Sequence, residues 1–145
     1  MTWDPLCFTR QTFSPERYSI WTMQSNYHNL PLINGVAQKA GGNFKAKGSR
    51  YRMKNDQVHF QTDIANAYPN EAAVKSWVRT YEFKREDGLI VRDHFELEKH
   101  KNAINFHFMS ALPVALKSPG LLEISGDGFA INMRFDQRKL DAIIE

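Results

Sequence analysis

The sequence predicts an all-β chain, an antiparallel β-sandwich with one short N-terminal helix. Three observations carry this. After Phe44, apolar residues recur at every second position, the period of a strand with one face in a core. Turn chemistry separates those runs at Asn55-Asp56, Arg85-Glu86-Asp87-Gly88 and Gly126-Asp127-Gly128. Helix signals occur only over residues 15–24. Strands with one apolar face must bury it against a second layer, so antiparallel sheets packed face to face follow. A chain of 145 residues fits one domain spanning residues 1–145, with room for about eight to ten strands.

The elements follow in order. Ser14 is a helix N-cap, Pro15 takes the first helical position and Glu16 falls in the first turn. Tyr18, Trp21 and Ser25 would line one side of that helix. Next, Pro31 and the tight Asn34-Gly35 turn place His28 at the start of an ordered strand. Tyr51 and Met53 alternate with Arg50, Arg52 and Lys54. Val58, Phe60, Thr62 and Ile64 oppose His59, Gln61 and Asp63. Tyr68-Pro69-Asn70 reads as a loop.

Trp77, Arg79, Tyr81 and Phe83 then share one parity, as do Leu89, Val91, Asp93, Phe95 and Leu97. Ile104, Phe106 and Phe108 form another apolar face. Pro113 and Ser118-Pro119-Gly120 interrupt pairing. Leu122 and Ile124, then Phe129, Ile131, Met133 and Phe135, read as a final hairpin. Residues 140–145 fit either an edge strand or a helical turn.

Composition excludes several functions. Apolar residues at 42% and aromatics at 12% support a packed core rather than disorder. The net charge of +3 comes from interspersed Lys, Arg, Asp and Glu, with no arginine-rich arm and no nucleic-acid motif, so no nucleic-acid partner is expected. No apolar run approaches the ~20 residues of a membrane span. Met1-Thr2-Trp3-Asp4-Pro5 lacks the character of an export signal. The lone Cys7 forms no internal disulfide, and nothing near it would activate it as a nucleophile.

No catalytic residue can be nominated from spacing. The histidines are His28, His59, His94, His100 and His107, and none forms a recognisable metal-ligand pair. His59, His94 and His107 fall on polar strand parities, where a solvated role is the ordinary one. His94 and His107 could also meet across neighbouring strands. Arg50, Arg52, Arg79 and Arg92, with Tyr27, Tyr51, Trp77 and Tyr81, could form a basic aromatic face. Such a face suits acidic sugars, because guanidinium groups pair with carboxylates and sulfates while rings stack on pyranoses. We nominate Tyr27, Arg52, Arg79 and Arg92 for glycan contact. The competing reading makes the rings core and the arginines rim.

The segment Ser25-Asn26-Tyr27-His28-Asn29-Leu30-Pro31-Leu32-Ile33-Asn34-Gly35-Val36-Ala37-Gln38 closely resembles the His-Asn segment of heparinase II/III-like polysaccharide lyases. The likeness runs from about Arg10 onward. It takes in Glu16-Arg17-Tyr18, Lys75-Ser76-Trp77-Val78-Arg79-Thr80-Tyr81 and Asp93-His94-Phe95-Glu96-Leu97. It implies the C-terminal β-sandwich portion of an enzyme that also carries an α/α toroid. That enzyme cleaves acidic, uronate-containing polysaccharides by β-elimination, in a periplasmic or extracellular setting.

In zinc-bearing members the histidine of this segment is a ligand. That role maps onto His28, with Asn29 supporting it by hydrogen bonding. The remaining ligands belong to an Asn-His-x-His-x-Asp segment that this chain lacks before His28, and residues 1–8 do not resemble the family's preceding strand. One histidine cannot make a zinc site of about four ligands, so the expectation is no tight zinc binding and no complete active site in this chain alone. A non-catalytic carbohydrate-binding or structural module is the alternative. A sandwich without its opening strands should expose a sheet edge, which a second copy could cover.

Overall fold

The computed structural model describes residues 9–145; Cys7 and residues 1–8, which entered the reading above, lie outside them. The described residues hold nine strands in three antiparallel sheets, together with short 3-10 helices and no α-helix. They divide after Phe108 into two compact units.

The first unit is built on a four-stranded antiparallel sheet. Its N-terminal stretch contains β1, Pro31–Leu32, and the sheet follows as β2, Lys47–Lys54, β3, Gln57–Asp63, β4, Val74–Lys84, and β5, Gly88–Leu97. The strands lie in sequence order, so each connection is a hairpin or a short loop. Two hairpins sit at the turns the sequence marks, with Asn55 (φ 52°) and Glu86 (φ 72°) in left-handed conformations. A two-residue strand, β6 at Asn105–Phe106, pairs with β1. The longer strand suggested by Ile104, Phe106 and Phe108 is therefore confined to one step.

Cross-strand register sorts the sheet into two faces. Tyr51, Phe60, Tyr81 and Val91 stand opposite one another, as do Met53, Val58, Phe83 and Leu89. The other face carries the rows Arg52, His59, Glu82, Ile90 and Arg50, Gln61, Thr80, Arg92. The core lies at one end of the apolar face. Trp77, fully buried, stacks on Phe95 at 4.3 Å and tilts against Phe106 at 5.9 Å. Ile33, Ile64, Tyr68 and Ala72 complete that cluster. At the far end of the same face Tyr51, Met53, Phe83 and Leu89 are exposed.

Residues 15–24 do not form the expected α-helix. The cap is real, since the Ser14 hydroxyl accepts from the Glu16 amide at 3.1 Å and Pro15 follows it. The chain then breaks at Ile20, which is extended, leaving 3-10 helices at Pro15–Ser19 and Trp21–Met23. Two physical causes act together. Neither piece buries a residue, and a helix this short needs a packed face to persist. The Ser19 hydroxyl also donates to the Glu16 carbonyl at 2.8 Å while accepting from the Gln11 side chain at 2.7 Å, local bonds that compete with helical ones.

The second unit is a three-stranded antiparallel sheet of β7, Val114–Ser118, β8, Leu121–Gly126, and β9, Phe129–Arg134. Val114, Ile124 and Ile131 align across it, as do Leu116, Leu122 and Met133, giving one apolar face. Pro119-Gly120 serves as the β7–β8 turn rather than as a break in pairing. Gly120 (φ 78°) is required there because a Cβ would meet the Phe135 carbonyl oxygen at 2.8 Å. Residues 140–145 form neither strand nor helix.

Candidate functional site

Residues 25–38 fold as a clipped unit. The Ser25 hydroxyl accepts from the Gln38 amide at 3.0 Å, joining the two ends of the segment. Inside it, Asn34 (φ 54°) and Gly35 (φ 77°) form a two-residue turn closed by reciprocal Ile33–Val36 backbone bonds of 3.1 and 2.9 Å. Positive φ at both positions is what an Asn-Gly pair supplies at least cost.

Asn34 does more than turn the chain. Its buried amide donates to the carbonyls of Ala72 (2.7 Å) and Lys99 (2.9 Å), and its carbonyl oxygen accepts from the amides of Lys101 (2.8 Å) and Asn102 (3.1 Å). One side chain thus ties three loops together with its hydrogen-bonding capacity filled.

A second anchor lies beneath the His-Asn step. Arg79 on β4 is 2% exposed and grips Asp93 on β5 through two parallel bonds of 2.8 Å, Nε to Oδ1 and Nη2 to Oδ2. Its Nη1 donates to the Asn29 carbonyl at 2.8 Å, and Trp77 Nε1 donates to Asp93 Oδ1 at 2.7 Å. Burial works against the Arg79 charge, but the hydrogen bond and charge of Asp93 outweigh it and hold the guanidinium's pKa above its ordinary value. Nearby, the Tyr68 hydroxyl donates to the Pro31 carbonyl at 2.6 Å, and burial pushes that phenol well above its usual range. Arg79, Asp93, Trp77 and Tyr68 therefore fix the backbone of residues 29–31 on the sheet.

The nominated residues part company here. His28 is exposed at the surface of the clipped segment, its Nε2 2.7 Å from the Thr22 carbonyl, so that nitrogen is the protonated one. Asn29, in a left-handed conformation (φ 46°), directs its carbonyl to Arg79. Tyr27 is exposed and meets Trp21 edge-on at 5.1 Å.

Among the described residues no three His, Cys, Asp or Glu side chains gather in a metal-binding group. The described set around His28 does not fit a four-coordinate zinc site. His94 pairs with Val78 across β4 and β5, whereas His107 follows β6, whose partner is β1, so the two are not cross-strand neighbours. His107 Nδ1 is buried with no hydrogen-bond partner among the described residues.

Arg52 and Arg92 do share a face, with Arg50 beside them, but Arg79, Tyr51 and Tyr81 occupy the opposite parity. The pleat separates Arg50, Arg52 and Arg92 from those rings, and Arg79, the arginine on the rings' side, is buried. Over the polar face lies an open cavity of about 670 Å³ lined by Arg50, Arg52, Lys54, Gln57, His59, Gln61 and Glu82, with Tyr51 and Val58. Arg92 bonds Glu82 at 2.5 Å. Arg50, Arg52 and Lys54, all exposed, have no ion-pair partner among the described residues.

Sequence reasoning passed over Asn34 as an anchor and Asp93 as the partner of Arg79. The second had a signal. Two opposite charges, each on an otherwise apolar strand parity, are the pattern of a buried ion pair. The chain matches no protein-family model, and no curated protein matches it.

Proposed function

We propose that the chain is the β-sandwich portion of a heparinase II/III-like polysaccharide lyase. In this reading it holds an acidic, uronate-containing glycan, in a periplasmic or extracellular setting, and supplies scaffold and glycan contacts rather than the proton-transfer groups of β-elimination. One observation supports this most. Of the four stretches that carry the resemblance, the most specific, residues 25–38, is fastened at one buried node to the hairpin that bears two others, residues 75–81 and 93–97, through bonds of 2.8 Å among Asn29, Arg79 and Asp93.

In this reading Arg52 and Arg92 contact the glycan from the polar face, and Arg79 acts on it only by fixing the loop that carries Tyr27 and His28. His28 is one ligand of a composite metal site whose other ligands are not among the described side chains, and Asn29 supports its backbone. The exposed strand β2 at the sheet edge is where a second copy would pair.

The experiment is a direct one. The purified chain is titrated with heparin and with polygalacturonate, and ultraviolet absorbance follows any unsaturated product. Binding without turnover is the expected result. Failure to bind either polymer would remove the glycan reading, and turnover abolished by His28→Ala would show that the chain carries its own catalytic centre.

A further inference from the structure

We infer that the polar face of β2 and β3 is a docking strip for one extended anionic polysaccharide chain, recognised by its charges and hydroxyls and not by ring stacking. The inference deepens the glycan reading and rests on it.

Arg50, Arg52 and Lys54 alternate along the edge strand, so their side chains leave the same face at steps of about 6.8 Å, twice the rise of an antiparallel residue. Three cations at that pitch match a linear polyanion better than a compact one. They lack acidic partners among the described residues, and they line the 670 Å³ cavity with His59, Gln61 and Glu82. Register places His59 directly between Arg52 and Glu82, and Gln61 directly beside Arg50. An imidazole and an amide therefore sit among the charged groups, which suits a ligand dense in hydroxyls between its anionic groups.

Glu82 sharpens the strip's outline. Its carboxylate is held by Arg92 at 2.5 Å, so the two neutralise each other on β4 and β5. The uncompensated positive charge is left on β2. Single-stranded nucleic acid is the rival polyanion, and it binds by stacking bases on exposed rings. Of the two rings on this lining, Tyr51 belongs to the opposite parity of β2, which leaves the single imidazole of His59 on the polar face; one ring offers no platform for successive bases, so the face favours a polysaccharide.

The test compares three chains by isothermal titration: the native protein, Arg50→Ala/Arg52→Ala, and Arg138→Ala/Lys139→Ala. The last pair removes the same two charges from the second unit. With heparin as probe, the first double variant should bind about tenfold more weakly or worse, as expected for two lost charge-assisted contacts. The control pair should bind like the native chain. Equal loss in both pairs would mean that net charge alone governs affinity and would overturn the strip. Native-like binding by Arg50→Ala/Arg52→Ala would overturn it while leaving the glycan reading intact. No heparin or polygalacturonate binding by the native chain would remove that reading and the strip together. Oligo(dT) bound more tightly than heparin would reassign the face to nucleic acid.

Discussion

Arg79 and Arg52 belong to the same sheet, two strands apart, and both come from runs of alternating residues. Arg79 stands at the buried end of the apolar face, with its guanidinium divided between Asp93 and the Asn29 carbonyl. Arg52 stands on the polar face of the edge strand, exposed and without an ion-pair partner among the described residues. The same side chain is a structural fastener in one place and an available charge in the other. Parity, strand position and what covers the face decide between these roles, so residue type alone does not identify a binding group.

The contrast is broken most strongly at the buried end. Arg79→Ala leaves Asp93 as an uncompensated buried carboxylate and should cost about 3–5 kcal/mol in urea denaturation. A double-mutant cycle with Asp93→Ala should then show strong coupling, because both partners serve one bidentate contact. Arg52→Ala should stay within about 0.5 kcal/mol of the native chain, as for an exposed side chain with no ion-pair partner among the described residues.

Asn34→Asp is the next largest effect. It replaces a donor with an anionic oxygen facing the Ala72 and Lys99 carbonyls, at positions now 2.7 and 2.9 Å apart from the amide nitrogen. A loss of about 3 kcal/mol is expected. Hydrogen exchange should show the amides of Lys101 and Asn102 opening first, since both donate to the same side chain.

Tyr68 gives a smaller and pH-dependent effect. Tyr68→Phe should cost about 1–2 kcal/mol through the bond to Pro31. Burial raises the folded phenol's pKa, so the folded chain holds this proton more tightly than the unfolded one. Its contribution is complete below the ordinary tyrosine value of about 10 and declines at higher pH, where the unfolded state ionises first. Alkaline titration followed by tyrosinate absorbance should show one group that appears only on unfolding and is missing in Tyr68→Phe.

Much of the sheet was legible in the sequence because one of its faces is apolar. β2 to β5 lie where the alternation puts them, and three hairpin turns sit at the positions marked by Asn55-Asp56, Arg85-Glu86-Asp87-Gly88 and Gly126-Asp127-Gly128. The N-terminal helix was not legible, since its cap is correct but its stability depended on a buried face that residues 15–24 do not have. β6 shrank because Ile104 and Phe106 pack onto the core cluster around Trp77 without extending a ladder.

At the site, alternation alone placed Arg50 and Arg52 on the parity opposite Tyr51. It could not tell which arginines would be covered, because that depends on where residues 29–36 cross the sheet. Asn34 reads locally as a turn residue, and its four side-chain bonds reach loops 38 to 68 residues away.

The edge strand adds a constraint on assembly. β2 carries Lys47, Arg50, Arg52 and Lys54, and its register shifts between Lys47 and Arg50 at Gly48 (φ 62°). Charged side chains and a bulge both discourage edge-to-edge pairing. If a second copy pairs there, it must do so against that repulsion. Association should then strengthen with salt, which sedimentation at rising ionic strength would register.

One measurement bears on both ends of the sheet at once: thermal unfolding of the native chain and of Arg50→Ala/Arg52→Ala, each with and without saturating heparin. A ligand that binds only the folded state raises the transition temperature. The native chain should therefore melt higher with heparin, while the double variant should match it without heparin and gain nothing from the addition. Equal stabilisation of both chains by heparin would contradict the account, because the free arginines of β2 would then have no part in holding the glycan.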